Sequence, residues 1–389
     1  MNLRLLPLLL IFSTTAFAQS APRARALGVP FDGKPGPLDA ITDVKGVEVG
    51  DTTLIRGEGK LITGKGPVRT GVTVIFPRGR NDADPVYAGW FSQNGNGEMT
   101  GTTWVEESGF LEGPIGITNT HSDGLVRDSI KAWSVQTGRL AQQPWSLPVV
   151  AETWDGYLND INGFHVQQSD VFSALSGAQA GPVPEGNVGG GTGMVCYGFK
   201  GGDGTASRLL PAEAGGYTVG VLVQCNCGRR PQLTIAGVPI GKLIPAPPRN
   251  AMLEPELRGD VGSIIIVVAT DAPLLPTQLK RLARRATMGL ARTGSSSGNS
   301  SGDIFIAFST ANHGAGKEPG PNSVLTVSNE RISPLFQATV EATEEAIVNA
   351  MVAAQTMTGV DGHTIEALPQ DKLTEFMKRS PQLDPGERK

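Results

Sequence analysis

A serine at the end of a long irregular stretch is the first residue of this sequence that could do chemistry. Gly262 and Ser263 stand between a segment rich in proline, charge and glycine and the apolar run "IIIVVAT". A serine hydroxyl is a weak nucleophile until a base takes its proton. One base is the serine's own α-amine, with a reference pKa of about 8, which is freed when the preceding peptide bond breaks. The junction is therefore a candidate self-cleavage site, and an ordinary strand-edge serine is the alternative interpretation.

Other sources of catalytic chemistry have little support in the sequence. The four histidines are scattered along the chain, so a serine–histidine–aspartate triad is not indicated. The glycine-rich stretch "GNVGGGTGMVCYGFKGGDGTAS" lacks the lysine and hydroxyl pair of a phosphate-binding loop, and no cofactor is expected. A serine enzyme built on this sequence needs a base other than histidine.

The three cysteines are Cys196, Cys225 and Cys227. Because their number is odd, at least one thiol stays free, and a disulfide framework is not expected. The pair in "QCNCG" has no histidine nearby, which is poor spacing for zinc. We expect buried, apolar cysteines and no metal site.

Size and charge narrow the class of protein. The chain has 389 residues, 33 Lys and Arg against 37 Asp and Glu, and a formal net charge of -4. A sizeable core is therefore expected, and nucleic acid is not expected as a partner because phosphate binding needs a basic face.

The N-terminus has the pattern of a secretory signal peptide. Residues 1–18, "MNLRLLPLLLIFSTTAFA", carry one arginine, a short apolar run and an A-x-A ending. No later segment reaches the roughly 18 unbroken apolar residues that a membrane helix needs. We expect a secreted or periplasmic protein that begins near Gln19 and does not associate with a membrane after the signal is removed.

Strand and helix patterns alternate along the chain. Runs such as "GVEVGDTTLI", "TGVTVIFP", "GYTVGVLVQCN" and "LTIAGVPIG" have a period of two and predict antiparallel sheets with one buried face. "SIIIVVAT" and "DIFIAFST" are apolar throughout and predict strands buried on both faces. Helices are predicted between Pro276 and Gly294, and from a Ser333 cap with Pro334 in the first turn to Gly359. Stacked sheets covered by helices satisfy these patterns, and residues 245–262 read as a functional loop within one domain.

Longer motifs carry a family resemblance over most of the chain. "NGNGEMTG", "WVEESGFLEGPIGITNTHSDGLVRDS", "EGNVGGGTGMVCYGFKGGDGTASR", "YTVGVLVQCNCG" and "SGDIFIAFSTAN" resemble the L-aminopeptidase/D-alanyl-esterase (DmpA) family, which includes the β-peptidyl aminopeptidases. The resemblance implies self-cleavage before Ser263 into fragments 19–262 and 263–389. It also implies an α+β fold, a four-layered αββα sandwich like that of N-terminal nucleophile hydrolases but with different connectivity. Both fragments stay in one domain, residues 19–389, and several αβ units, four by analogy, are expected to associate.

The resemblance also assigns roles to the catalytic residues. Ser263 becomes the nucleophile and its amine a candidate base, while Ser301 and Asp303 would lie beside that amine to relay a proton and hold charge. Some β-peptide-cleaving members have glutamate in place of Asp303. Asn226 matches the donor to the oxyanion of the tetrahedral intermediate.

Substrate contacts are implied in the same way. Glu152 matches a carboxylate that binds the substrate's free amino group, and Trp154 stands where some members have tyrosine. "NGNGEM" and "TNTHSDG" could line the pocket or form structural turns. The sequence is therefore interpreted as an exported, self-processing serine aminopeptidase acting on short peptides or aminoacyl amides and esters. The alternatives are an acyltransferase of the ornithine acetyltransferase type and an inactive secreted binding protein.

Overall fold

Two β-sheets stack face to face, and helices cover both outer surfaces. The structure is a computed structural model that describes residues 22–139, 145–246, 261–316 and 323–379. The predicted signal peptide and most of the predicted functional loop lie outside the described residues. None of the helices in the described part of the chain is both long enough and apolar enough to cross a membrane.

The strands form a four-stranded small sheet, a six-stranded large sheet and two short hairpins. The small sheet has the order β1-β2-β5-β6, the large sheet β4-β3-β12-β11-β10-β9, and the hairpins are β7-β8 and β13-β14. The strands are β1 Glu48–Arg56, β2 Val68–Phe76, β3 Val86–Gly95, β4 Phe110–Leu111, β5 Ile115–Asn119, β6 Val149–Thr153, β7 Val195–Cys196, β8 Phe199–Lys200, β9 Gly202–Leu209, β10 Thr218–Asn226, β11 Val261–Thr270, β12 Ser300–Ser309, β13 Met357–Thr358 and β14 Thr364–Ile365.

Helices pack on the outer face of each sheet. They are α1 Thr102–Ser108, α2 Asp123–Gln136, α3 Gln168–Gly177, α4 Ile240–Leu243, α5 Pro276–Arg292, α6 Ser333–Ala353 and α7 Gln370–Arg379. Apolar side chains of α2 and α3 pack on β2 of the small sheet. Those of α5 and α6 pack on β10 and β11 of the large sheet. The result is the predicted order of layers, helix, sheet, sheet and helix.

Alternation along β11 separates two cores. Ile264 and Ile266 face α5 and α6, whereas Ile265 and Val267 pack between the two sheets. Successive residues of a strand point to opposite faces, so an uninterrupted apolar run is what a central, doubly covered strand requires. The prediction that β11 and β12 are buried on both faces is confirmed. The prediction of a single buried face fails for β2, whose nine residues are all buried because helices cover its outer side.

Two predicted elements differ from the structure. Residues 233–241 are not a strand: Ala236 and Gly237 have positive φ and form a tight turn, bridged between Ile235 and Val238. Helix α6 begins at Ser333 with Ile332 as its cap, and it ends at Ala353 rather than near Gly359.

The early end of α6 is explained by a contact with a residue distant in the sequence. The side chain of Asn187 donates to the carbonyl of Gln355 at 2.8 Å and accepts from its N–H at 3.1 Å. A side-chain amide that satisfies both main-chain groups of Gln355 competes with continued helix. This long-range contact is invisible in the local sequence pattern.

Candidate active site

A cavity of about 1120 Å³ opens where the ends of β10 and β11 face the end of β6. Five of the residues predicted from sequence lie in its wall: Glu152, Trp154, Asn226, Gly262 and Ser263. The wall thus combines strands of both sheets. Among the described residues that line it, none is a histidine.

Ser263 faces this cavity from the large sheet. Its Cα partners are Asn226 on β10 and Gly302 on β12. Because it shares a strand face with Ile265, its hydroxyl points toward the space between the sheets rather than toward the helices. The Oγ donates a hydrogen bond of 2.8 Å to the carbonyl oxygen of Gly262. The candidate nucleophile therefore contacts the carbonyl of the bond that it is predicted to cut.

The bond between Gly262 and Ser263 lies inside a strand. The sequence pattern places Gly262 in a loop and the start of the strand at Ser263, but β11 begins at Val261. Gly262 is paired in the parallel register with Ser301, which extends the ladder by two residues beyond the apolar run. Pairing with β12 holds the Gly262–Ser263 peptide bond in one orientation relative to the Ser263 hydroxyl.

Asn226 is oriented by a main-chain contact. It is the last residue of β10, and its Oδ1 accepts a hydrogen bond of 2.8 Å from the N–H of Val195. An amide carries its donor and acceptor on one planar group, so fixing Oδ1 leaves Nδ2 free to donate. Nδ2 is the atom that an oxyanion requires.

Ser301 and Asp303 form a buried pair on β12. The Ser301 Oγ donates to the Asp303 Oδ1 at 2.6 Å, and both residues are buried. They share a strand face with Phe305, which packs toward the helices, so they lie on the opposite face of the large sheet from the Ser263 hydroxyl. The structure brings Ser301 beside the main chain at Gly262, where the α-amine of Ser263 would be released.

The Asp303 carboxyl group is subject to opposing influences on its pKa. Burial raises its pKa above the ordinary aspartate value, while the hydroxyls of Ser301 and Ser297 act to lower it. Its Oδ2 has no hydrogen-bond partner among the described residues. A buried acceptor without a donor is costly. The α-amine that cleavage would release at Ser263 of β11 is a candidate donor to it.

Ser297 and Asn94 were not assigned roles from sequence. Ser297 has a positive φ of 47°, and the Asn94 side-chain amide donates to the carbonyls of Ser297 and Gly298. Asn94 is also the strand partner of Asp303. The serine- and glycine-rich run "GSSSGNSSG" was the available signal, but its position beside Asp303 depends on strand pairing.

Glu152 enters the cavity from the small sheet. Its Oε1 accepts from the N–H of Glu98 at 2.9 Å, and its Oε2 accepts from the Thr120 hydroxyl. Burial raises the pKa of this carboxyl group, and the two hydrogen bonds partly offset the effect. Glu98 and Asp123 also line the cavity and make this end acidic. Glu98 lies in "NGNGEM" and Asp123 in "TNTHSDG", so both stretches contribute to the cavity wall.

Trp154 walls the cavity beside Glu152. It is partly exposed, at 37%, and lines the cavity. The chain around it is tight, since a Cβ on Gly156 would come within 2.8 Å of three atoms of the indole ring. The indole supplies a rigid apolar surface, and a phenolic hydroxyl is absent at this position.

Buried Lys200 supports the loop that carries Val195. Its Nζ donates to the carbonyls of Met194 at 2.8 Å and Gly201 at 2.9 Å. Burial lowers the pKa of this ammonium group, and nearby Asp203 and Asp155 act in the opposite direction. These contacts fix the chain immediately before Val195 and so bear indirectly on Asn226.

All three cysteines are buried, as expected, but two of them form a disulfide that was not expected. Cys196 and Cys225 are paired as a disulfide, whereas Cys227 is free and buried. The Cys227 Sγ lies 3.7 Å from each of the other two sulfur atoms. The pairing follows from the fold, because the β7-β8 hairpin carries Cys196 against the end of β10. Within the described parts of the chain these three sulfurs are also the one group with metal-ligand spacing, and two of them are bonded to each other.

Comparison with known proteins gives a consistent result. Residues 39–365 match the profile of Peptidase family S58. The chain is 54% identical over 379 residues to beta-peptidyl aminopeptidase BapA of Sphingosinicella microcystinivorans, covering 94% of both chains. It is 50% identical over 393 residues to the enzyme of the same name from Sphingosinicella xenopeptidilytica, covering 96% of both chains.

Solved structures resemble this one over almost their whole length. The L-aminopeptidase D-Ala-esterase/amidase from Ochrobactrum anthropi, a variant of the Ntn hydrolase fold, superposes with a TM-score of 0.85 at 47% identity, covering 93% of this chain and 100% of that one. A beta-aminopeptidase from Burkholderia sp. gives 0.82 at 48% identity, covering 92% and 98%. The predicted α+β sandwich of the N-terminal nucleophile type is confirmed.

Proposed function

Because this chain belongs to peptidase family S58, we propose that it is an exported serine aminopeptidase that activates itself by cutting the bond between Gly262 and Ser263. The family and the relatives make it a serine-type hydrolase of the N-terminal nucleophile class. Self-cleavage, export and the substrate range are the parts of the proposal that need experiments.

One observation carries the proposal. The hydroxyl of Ser263 contacts the carbonyl oxygen of Gly262 at 2.8 Å in the wall of a large cavity. The buried carboxylate of Glu152, from the small sheet, lies in the same wall. The first contact suits attack on the preceding peptide bond. The carboxylate suits recognition of a substrate ammonium group after that bond is gone.

Self-cleavage starts from the uncut strand. The Ser263 Oγ attacks the Gly262 carbonyl carbon and gives up its proton, and the nitrogen of Ser263 leaves with a proton. The Gly262 acyl group then rests on Oγ as an ester, which water hydrolyses to a carboxylate and the free hydroxyl. The products are fragment 19–262 with a new C-terminus and fragment 263–389 with a free α-amine.

Turnover repeats the same chemistry on a substrate. The Ser263 Oγ attacks the carbonyl after the first residue, and its proton passes to a base, for which the α-amine is one candidate and the pair of Ser301 and Asp303 another. The Asn226 Nδ2 donates to the oxyanion. The leaving amine takes a proton, and water resolves the acyl-enzyme.

Glu152 accounts for aminopeptidase specificity. Its carboxylate is held by two donors and faces a cavity whose other acidic residues reinforce a negative potential. An N-terminal ammonium group binds there, and a blocked N-terminus has no charge to offer. Substrates are short peptides, amides or esters with a free amine, including those with a β-amino acid first, as in the names of the BapA relatives.

Cleavage is tested by expressing residues 19–389 and the Ser263→Ala variant. On a denaturing gel we expect two fragments from the wild-type chain, the smaller beginning Ser-Ile-Ile-Ile, and one intact chain from the variant. With an aminoacyl p-nitroanilide and a β-alanyl dipeptide, the variant should lose about 10⁴-fold or more in rate. An uncut wild-type chain with full activity would contradict the mechanism.

The same assay separates other functions. Transfer of the acyl group to an added amine in preference to water would indicate an acyltransferase, and binding without turnover would indicate a binding protein. Export is tested by expressing the full chain and sequencing the larger fragment, which should begin near Gln19. We also propose that several αβ units, four by analogy, associate, and light scattering after gel filtration measures this.

A further inference from the structure

The catalytic cavity carries opposite charges at its two ends. Glu98, Asp123 and Glu152 lie in the wall near the small sheet, while Arg229 and Arg230 lie just beyond the end of β10 in the large sheet. The proposed function uses the acidic end for the substrate ammonium. Nothing in that function yet uses the basic end.

The two arginines are engaged very differently. Arg230 is buried, its guanidinium donates to the carbonyls of Tyr197, Gly198 and Ile244, and it stacks on the Phe199 ring. Its charge is therefore committed to the fold. Arg229 is exposed, and among the described residues its guanidinium makes no hydrogen bond or ion pair.

The main chain of Arg229 is nevertheless held rigidly. Its N–H donates to the Gln232 Oε1 at 2.8 Å, and the Gln232 Nε2 donates to the Ser296 Oγ at 3.0 Å. Gly228, before it, has a φ of +74° and lies against the Tyr197 ring, so a side chain there would clash. A fixed backbone with an uncommitted guanidinium is the arrangement of a ligand-binding arginine.

Arg229 lies on the leaving-group side of the nucleophile. Together with Gln232, Gly262 and Ser301 it also lines a smaller cavity, which places it beside the N-terminus of the cut strand. In the proposed mechanism the leaving amine takes its proton from the Ser263 α-amine or from the Ser301–Asp303 pair, and Ser301 lines the same smaller cavity as Arg229. The residue that leaves therefore lies toward Arg229, and the residue that is acylated lies toward Glu152.

We propose that Arg229 binds the α-carboxylate of the leaving residue and makes the enzyme selective for dipeptides with a free C-terminus. The inference rests on the proposed function. In a dipeptide the carboxylate is one Cα away from the leaving nitrogen, so ammonium and carboxylate fall at the two ends of one short ligand. Guanidinium and carboxylate form paired, charge-assisted hydrogen bonds.

The test compares acid and amide forms of one substrate. Wild-type enzyme should hydrolyse β-alanyl-alanine with a kcat/KM about 5- to 20-fold above that for β-alanyl-alanine amide, as a partly exposed ion pair allows. Arg229→Gln should reduce this ratio to about one, mainly through KM for the acid, and Arg229→Lys should restore part of it. Arg284→Gln, an equal charge change at an exposed position of α5, should keep the wild-type ratio.

A binding measurement keeps the test independent of turnover. Calorimetry with ketomethylene analogues of the same dipeptide, ending in carboxylate or carboxamide, should give the same preference for the acid and its loss in Arg229→Gln. If no substrate is turned over but this preference is found, the proposed function fails and the carboxylate site stands. Equal weakening of acid and amide, or an unchanged preference in Arg229→Gln, would overturn the inference.

Discussion

The two sheets contribute to the active site in different ways. The large sheet supplies Ser263, Asn226 and the Ser301–Asp303 pair from three adjacent strands, where ladder hydrogen bonds set their relative positions. The small sheet supplies Glu152 from the end of β6, held by side-chain and loop donors rather than by a neighbouring catalytic strand.

This difference separates bond-making from recognition. In the proposed mechanism, residues of the large sheet act on the reacting carbonyl or on the proton transfers that accompany attack, so their loss should lower kcat. In the same mechanism Glu152 binds the substrate ammonium, so its loss should raise KM. The core between the sheets, built from alternate residues of both, sets the distance between the two functions.

After loss of the nucleophile itself, the largest effect is expected from Asn226→Ala in the large sheet. Loss of one oxyanion donor should lower kcat by about 10²–10³-fold with little change in KM, measured on the processed enzyme with an aminoacyl p-nitroanilide. Self-cleavage passes through a similar oxyanion and should also slow, which a time course on a denaturing gel would show. A rise in KM without a fall in kcat would place Asn226 on the recognition side instead.

A smaller effect is expected from Glu152→Gln in the small sheet. Removing the carboxylate should lower kcat/KM by about 10- to 100-fold, chiefly through KM, because a charge-assisted hydrogen bond to the substrate amine is lost. Glu98→Gln, which keeps its main-chain donor, should cost much less. Equal losses in the two variants would mean that the general negative potential, not Glu152 itself, binds the amine.

The ionisation of Glu152 should make kcat/KM depend on pH. The carboxyl group binds an ammonium only when ionised, and burial raises its pKa above the ordinary glutamate value of 4.5. As pH falls through that raised pKa, kcat/KM should fall, and the acid limb should lie above pH 4.5. In Glu152→Gln that limb should disappear, which a kcat/KM profile from pH 4 to 9 would measure.

The smallest effect concerns Asp155, which follows β6 in the small sheet. Asp155 packs against Gly193, and its burial raises the pKa of its carboxyl group from 3.8 to about 7. The folded state therefore binds more protons than the unfolded state in this range, and stability falls as pH rises from about 4 to 7. Asp155→Asn should reduce this pH-dependent decrease in the free energy of unfolding by roughly 1–3 kcal/mol. Urea unfolding at several pH values measures it. An identical pH slope in the variant would contradict this assignment.

Sequence patterns predicted the layers better than the ends of elements. Pro276 and Gly294 correctly bracketed α5, because these residues act on the local backbone. Residues 233–241 had the alternation of a strand, yet Ala236 and Gly237 turn the chain there. The end of α6 also escaped prediction, because a side chain from a distant loop satisfies the main chain at Gln355.

The sequence by itself determined the candidate nucleophile, since a small residue before Ser263 and an apolar strand after it are local features. It also determined, through motifs over most of the chain, the family. Only the tertiary structure decided that Val195 orients Asn226 and that Thr120 and Glu98 hold Glu152. It also decided that the Arg230 guanidinium bonds to main-chain carbonyls, whereas that of Arg229 makes no hydrogen bond to a described residue. Those contacts join residues far apart in the chain, and strand register and sheet packing, not local propensity, bring them within bonding distance.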